Sequence, residues 1–281
     1  MPEGAFFVTL KPRTGGGEQM NLSQLDTLAQ DIIIRAGERI KQSLHKEMTI
    51  TEKSSPSDLV TNIDMETEQF FVKEVSEALP EHRLLGEEGF GDTITDWDGY
   101  VWIVDPIDGT TNFINQQRNF CITVGIYKDG VGELGYIYQV MTGELISAIR
   151  GQGAYQNGVL LPRLKNVEFE DSLIGVNASW VAPNRHIDHH QVAKLIKRVR
   201  GTRSYGSAAL EISYVVTGRL DAYFSMRLSA WDVAGGMVIA NEVGALCGTL
   251  GGGEFDLLKK QPFIIANPAL FEELVKDYLI S

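Results

Sequence analysis

Tyr100-Val101-Trp102-Ile103-Val104-Asp105-Pro106-Ile107-Asp108-Gly109-Thr110-Thr111 is the stretch on which the reading of this chain turns. Its first five residues read as a strand, the most hydrophobic of this half of the chain. Asp105-Pro106-Ile107-Asp108 cannot continue that strand smoothly, because proline removes a donor and fixes φ. A turn there can aim both carboxylates at one point and free the Ile107 carbonyl as a further oxygen donor. All-oxygen sets of this kind suit hard cations such as Mg²⁺. If a helix begins at Gly109-Thr110-Thr111, its first N–H groups offer a cradle for phosphate.

Upstream, apolar residues recur at helical spacing from Leu22 to Leu44 and predict an amphipathic helix. A polar loop follows over His45 to Ser57. A second helix begins near Thr61 or Asp64 and ends near Pro80, with Phe70, Phe71, the aliphatic stem of Glu74, Val75, Ala78 and Leu79 on its apolar face. Arg83-Leu84-Leu85 reads as another strand. Downstream, Phe120–Tyr127, Val131–Val140 and Glu144–Arg150 read as strands parted by Asp129-Gly130 and Thr142-Gly143, which predicts an antiparallel meander. Beyond Leu164 helices and strands alternate. Strands are expected at Leu173–Val176, Asp221–Met226, Ala245–Thr249 and Phe263–Ala266, and helices at His189–Arg200, Ser207–Thr217, Trp231–Val243 and Pro268–Leu279. The organisation expected is an N-terminal α+β domain over 20–164 and a C-terminal α/β domain over 165–281. Residues 1–19, with Gly15-Gly16-Gly17, read as a disordered or non-native leader.

The 281 residues give room for about two domains and a substantial core, without need of disulfides. Twenty-five basic against thirty-seven acidic residues leave a net charge of −12, which disfavours a nucleic-acid-binding face. An anionic substrate would need local positive charge, and a metal ion could supply it. Cys121 and Cys247 form no disulfide framework, which fits a reducing, cytoplasmic setting. No apolar run reaches the ~20 residues of a membrane span.

Acidic residues stand at four strand or loop ends: Asp58 with Asp64, Glu87-Glu88 after Gly86, Asp105 with Asp108, and Asp232 after Trp231. Each alone has a plain explanation, since a single Asp caps a helix, Asp-Gly makes a turn and Glu-Glu makes a solvated loop. Their joint placement beside Gly or Pro turns after apolar segments is harder to explain that way.

Together, Asp58-Leu59-Val60-Thr61-Asn62-Ile63-Asp64, Gly86-Glu87-Glu88, Trp102 to Phe113 and Ala230-Trp231-Asp232-Val233-Ala234-Gly235 resemble the inositol monophosphatase family of Mg²⁺-dependent, lithium-sensitive phosphatases. The resemblance runs from about Leu22 to the C-terminus. It implies the layered αβαβα sugar-phosphatase fold and a homodimer. It also implies two to three Mg²⁺ ions: one on Glu87, Asp105 and the Ile107 carbonyl, a second on Asp105, Asp108 and Asp232, and a weaker third on Glu87. Thr110 paired with Asp58 would orient the attacking water, and the N–H groups of Gly109 and Thr110 would bind phosphate. Gly206-Ser207-Ala208 matches the family's substrate-contact turn. Asp64 either supports this site or caps a helix.

One position departs from the family pattern. Six residues before Trp231, where inositol-selective relatives carry a glutamate, this chain has Ser225, and Arg227 follows. Losing a carboxylate and gaining a cation favours a second anionic group on the substrate. The alternative is that Arg227 points to solvent or pairs with a carboxylate. The expected activity is hydrolysis of inositol monophosphate or a related small sugar or nucleotide phosphate. Fructose 1,6-bisphosphate and the 2′-phosphate of NADP are the broader candidates. A silent sugar-phosphate-binding regulator is the rival of another class, and a kinase is disfavoured because no P-loop or kinase Gly-rich loop is present. His186, His189 and His190 are read as a solvated helix end.

Overall fold

The computed structural model describes residues 20–45, 48–53 and 59–279, so the expected leader over 1–19 lies outside the described residues. The chain runs α1 (Leu22–Ser43), β1 (Ile50–Glu52), β2 (Leu59–Thr61), α2 (Asn62–Ala78), β3 (Arg83–Gly86), β4 (Tyr100–Asp108), α3 (Thr110–Gln116), β5 (Cys121–Lys128), β6 (Val131–Gln139), β7 (Glu144–Ile149), β8 (Ala154–Gln156), β9 (Val159–Leu160) and β10 (Leu173–Gly175). It continues through α4 (His189–Arg198), β11 (Gly201–Arg203), α5 (Ala208–Val216), β12 (Ala222–Leu228), α6 (Ala230–Val243), β13 (Leu246–Gly248), β14 (Gln261–Ala266) and α7 (Pro268–Leu274), closing on a π-helical turn, Val275–Leu279.

Strands β3 to β9 form a seven-stranded sheet in sequence order, and β11-β10-β12-β14-β13 form a five-stranded one. Alternation along the strands divides the first sheet's side chains between two cores. Trp102 and Val104 of β4, with Ile122, Val124 and Ile126 of β5, pack under α1 and α2. Val101 and Ile103 face the opposite way, onto Ile212 and Val215 of α5 and Val233 and Ile239 of α6. The same two helices meet Tyr223, Phe263 and Ile265 of the second sheet. That sheet's far face packs Ile174, Phe224 and Ile264 against Val192 and Leu195 of α4 and Leu270 and Leu274 of α7. The result is five layers, αβαβα, with α5 and α6 as the shared middle layer.

Helix α6 lies unusually close to the first sheet. A Cβ at Gly235 would stand 2.6 Å from the Val124 carbonyl oxygen and 2.7 Å from that of Tyr136, and one at Gly135 would stand 2.3 Å from the Gly235 carbonyl oxygen. Backbone rests on backbone here, with glycine as the only residue that fits.

Strand β4 carries a bulge. Asp105 pairs with Thr123 but Asp108 pairs with Cys121, so three steps on β4 match two on β5. By strict alternation Asp105 and Asp108 would face opposite sides of the sheet. The extra residue turns Asp108 back to the side of Asp105, leaving Ile107 in the core under α1 and α2.

The expected meander is present, β5, β6 and β7 pairing antiparallel in sequence order, and β3 joins the same sheet parallel to β4. Two expectations need correction. The polar loop after α1 contains β1, which pairs with β2 through Thr51↔Val60. Ala78 is exposed, and Glu74 takes an ion pair with Arg35 Nη2 at 2.7 Å across the α1–α2 interface in place of an apolar contact.

Candidate metal and active site

The bulge and two helix starts bring three carboxylates together. One oxygen each of Asp105, Asp108 and Asp232 lie within 4.8 Å of one another. Each is held by its own backbone or by a neighbouring element. Asp105 Oδ1 accepts from its own turn at Ile107 N (3.0 Å). Asp108 Oδ2 accepts from Ser207 Oγ at 2.5 Å and Ala209 N at 2.6 Å, both at the start of α5. Asp232 Oδ2 accepts from Ser229 N at 2.6 Å, at the start of α6. Burial raises the carboxyl of Asp105 well above the usual range, and the charges of Glu87, Asp108 and Asp232 raise it further. Asp232 is raised in the same way, by burial and then by Asp108. Burial pushes Asp108 up to about 6 despite its hydrogen bonds from Ser207 and Ala209. Three crowded carboxylates, Asp105 and Asp108 buried and Asp232 half-buried, are costly without a compensating cation, and a hard divalent ion on an all-oxygen donor set is what would relieve them.

Glu87 follows β3 directly. Its Oε1 accepts from Lys53 Nζ at 3.0 Å, and the same ammonium reaches Glu88 Oε1 at 2.7 Å. Burial pulls the Lys53 ammonium down, but the two carboxylates outweigh it and hold it above its usual value. Lys53 therefore sits on the carboxylate to which the third ion was expected to bind. Glu88 is half-buried, and desolvation pushes its carboxyl up to about 7 against its bond from Lys53.

Thr110 opens α3. Its Oγ1 donates to Asp64 Oδ1 at 3.1 Å, and the Ile107 carbonyl lies 3.2 Å away as a second acceptor. Asp58, expected as the partner of Thr110, lies outside the described residues. Asp64 fills that position and also caps α2, accepting from Thr61 N at 3.0 Å and Thr61 Oγ1 at 2.5 Å. Burial pushes Asp64 up to about 6. Gly109 has φ +96°, and a Cβ there would approach Ser207 Cβ at 3.0 Å. Gly206, at φ +76°, would bring a Cβ to 3.1 Å from the Asn112 amide, whose Nδ2 donates to the Tyr205 and Asn119 carbonyls. The Tyr205–Ser207 turn is thus locked onto α3.

The turn Gly206-Ser207-Ala208 was expected to contact substrate. The Ser207 hydroxyl of that turn donates to Asp108 and accepts from Leu210 N at 3.1 Å. Ser225 is buried on β12, and Arg227 is exposed at the bulge that separates Ser225 from Leu228 in the pairing with β14. Among the described residues Arg227 has no ion-pair partner. The three histidines do not join the carboxylate cluster, which is the only group of three or more possible metal-ligating side chains among the described residues.

Sequence reasoning missed Glu68, a fully buried carboxylate behind Glu87, and Glu211. Glu211 accepts from Tyr205 N at 2.8 Å, and burial pushes it up to about 7. A signal for Glu68 existed. It stands four residues after Asp64 and three before Phe71, on the inward stripe of α2, where an unpaired charge is out of place.

The family model of the inositol monophosphatase family matches residues 21–279. Inositol-1-monophosphatase of Bacillus subtilis (strain 168) is 50% identical over 259 residues, covering 92% of this chain and 98% of its own length. SaIMPase-II bound to 2′-AMP is 41% identical and superposes with a TM-score of 0.84 over 91% of this chain and 94% of its own, and inositol monophosphatase-II from Staphylococcus aureus MSSA476 is 41% identical with a TM-score of 0.83 over 91% and 93%. An IMPase/NADP phosphatase complexed with NADP and Ca²⁺ is 32% identical, with a TM-score of 0.86 over 92% and 96%.

Proposed function

This chain belongs to the inositol monophosphatase family, and from that premise we propose that it is a Mg²⁺-dependent phosphomonoesterase acting on inositol monophosphate or a related small sugar or nucleotide phosphate. The observation that carries this reading is the convergence of Asp105, Asp108 and Asp232 beside Thr110. We assign one cation to Glu87, Asp105 and the Ile107 carbonyl, and a second to Asp105, Asp108 and Asp232. When bound, such ions neutralise phosphate charge and lower the pKa of water. The protein's own groups do the rest. Asp64 accepts a hydrogen bond from the Thr110 hydroxyl, which leaves the Thr110 oxygen lone pairs free to accept one from the attacking water. That contact fixes the water's orientation without a covalent phosphoenzyme. The N–H groups of Gly109 and Thr110, held by the lock between α3 and the Tyr205–Ser207 turn, face the phosphate.

Residues 20–164 and 165–281 act in this proposal as two domains sharing one site, with Asp232 supplied by the second. The proposal includes a homodimer, which sizing in solution tests, and a cytoplasmic location, which the free thiols of Cys121 and Cys247 suit. No helix among the described residues is long and apolar enough to cross a membrane.

A second reading, broader specificity toward NADP 2′-phosphate or fructose 1,6-bisphosphate, is favoured by Ser225 and by the exposed Arg227 five residues before Asp232. Phosphate release from inositol 1-phosphate, fructose 1,6-bisphosphate and NADP, each with Mg²⁺ and with chelator, tests both. Mg²⁺-dependent release from inositol 1-phosphate alone supports the first reading and rejects the second. No release from any of them rejects both and leaves a silent binder.

A further inference from the structure

The hydrogen bonds of the Glu68 carboxylate both go to the segment that presents Glu87. The Glu68 side chain is completely buried. Oε2 accepts from Glu88 N at 2.6 Å and Oε1 from Phe90 N at 2.7 Å. Both oxygens are therefore committed to the backbone immediately after Glu87. On the other side, Gly86 leaves open the space that the carboxylate fills, since a Cβ at Gly86 would stand 2.2 Å from Glu68 Cδ. The return of the segment is tied down separately: Asp92 N donates to the Leu84 carbonyl at 2.6 Å, and Leu84 N donates to Asp92 Oδ2 at 2.8 Å.

The choice of a carboxylate here needs a reason. Another anion beside Glu87 and Glu88 is electrostatically unfavourable, and burial adds to the cost. A carboxylate is nevertheless the side chain that can accept two backbone N–H groups with two oxygens. Glutamine has one oxygen and would turn an NH₂ against a second N–H. The geometry accounts for the charge if the reward is a rigid backbone on both sides of Glu87.

We propose that Glu68 is a positioning residue for Glu87: by clamping the Glu88 and Phe90 N–H groups over Gly86, it fixes the direction in which Glu87 presents its carboxylate to a divalent cation. This rests on the reading of Glu87 as a cation ligand. It makes cation affinity at the Glu87 position depend on a residue that touches neither ion nor substrate. Groups that orient a metal ligand in this way are worth roughly 10- to 100-fold in metal affinity.

The test is equilibrium Mn²⁺ binding to the full chain, followed by electron paramagnetic resonance, for wild type, Glu68→Gln, Glu87→Gln and the double variant, with fold checked by circular dichroism. The expected result is one weakened class of ions in Glu68→Gln, by about 10-fold or more, and the other class unchanged. Activity should recover at saturating metal, with KM for substrate unchanged. The double variant should be no weaker than Glu87→Gln alone, because the clamp has nothing left to orient. Unchanged Mn²⁺ binding in Glu68→Gln, with Glu87→Gln weakened, overturns the clamp. So does additivity of the two losses. Unchanged binding in Glu87→Gln overturns instead the reading of Glu87 as a ligand. If Glu68→Gln does not fold, Gly86→Ala, which displaces the carboxylate from the other side, is measured in its place with the same outcomes. If that also fails to fold, Glu68→Asp, which shortens the reach and keeps the charge, decides.

Discussion

Ser207 Oγ donates to Asp108 Oδ2 across 99 residues of chain, joining the start of α5 to the bulge of β4. The hydroxyl that holds the carboxylate is also the N-cap of its helix. Ser207→Ala should therefore lower thermal stability by about 1 kcal/mol through the lost cap. It should also weaken divalent-cation binding, and calorimetric titration of Mn²⁺ beside a melting curve reads both effects. A stability loss with unchanged titration would confine Ser207 to capping.

Removing a charge from the cluster should stabilise the metal-free protein. Burial and like charges raise Asp105 above the unfolded value, so the folded chain holds protons that the unfolded chain has released. Stability then falls as pH rises through that raised value. In chelator, Asp105→Asn should melt above wild type at pH 8. The gap should narrow toward pH 5, where the carboxyls of Asp64 and Asp108, raised to about 6, are also protonated. Each kcal/mol corresponds to roughly 2–4 °C for a chain of this size. The variant should show no phosphatase activity, and near-normal turnover would contradict the assignment of a shared ligand.

Thr110→Ala should reduce kcat by about 10²-fold or more, in the range of a lost proton-handling group, while Mn²⁺ affinity changes little. Thr110→Ser keeps the hydroxyl and should restore most of the rate. Equal losses in both variants would mean that the methyl group, packed at the start of α3, matters and the hydroxyl does not.

Ser225→Glu restores the carboxylate that inositol-selective relatives carry. The ratio of kcat/KM for inositol 1-phosphate over NADP should rise, by roughly 10-fold or more for a gained hydrogen bond to a substrate hydroxyl. An unchanged ratio would mean that β12 does not reach the substrate at this position.

Gly235→Ala inserts a methyl where the Val124 and Tyr136 carbonyls stand. Helix α6 must move away from the sheet and carry Asp232 with it. Cation binding should weaken by more than 10-fold, with a loss of stability, measured by the same titration and melt. Wild-type affinity would show that Asp232 does not depend on this contact.

Much of the layered fold is legible in the chain because apolar periodicity marks α1 and α2, and runs of apolar and small residues mark α5 and α6, which are covered on both faces. Its limits are physical. The direction of β3 relative to β4 leaves no trace in the side-chain pattern, since both strands bury alternate residues whichever way they run. The three-residue β1 is exposed throughout and shows no alternation. At the site, Asp105, Asp108 and Asp232 stand out because glycine and proline sit beside them. Glu68 and Ser207 do not, because their partners are backbone amides or a distant carboxylate that only the folded chain brings near. Asp64 lay between two readings, and its two oxygens serve both, one toward Thr61 and one toward Thr110.

The extra residue in β4 makes this region sensitive to length more than to identity. Removing or adding one position between Asp105 and Asp108 while the bulge stays would rotate the second carboxylate to the face beneath the N-terminal helices, away from Asp232. No replacement elsewhere could undo that, because the fault would lie in counting and not in chemistry. The spacing from Asp105 to Asp108 and the bulge therefore form one unit, and a change of length in either without the other would silence the cluster at a stroke.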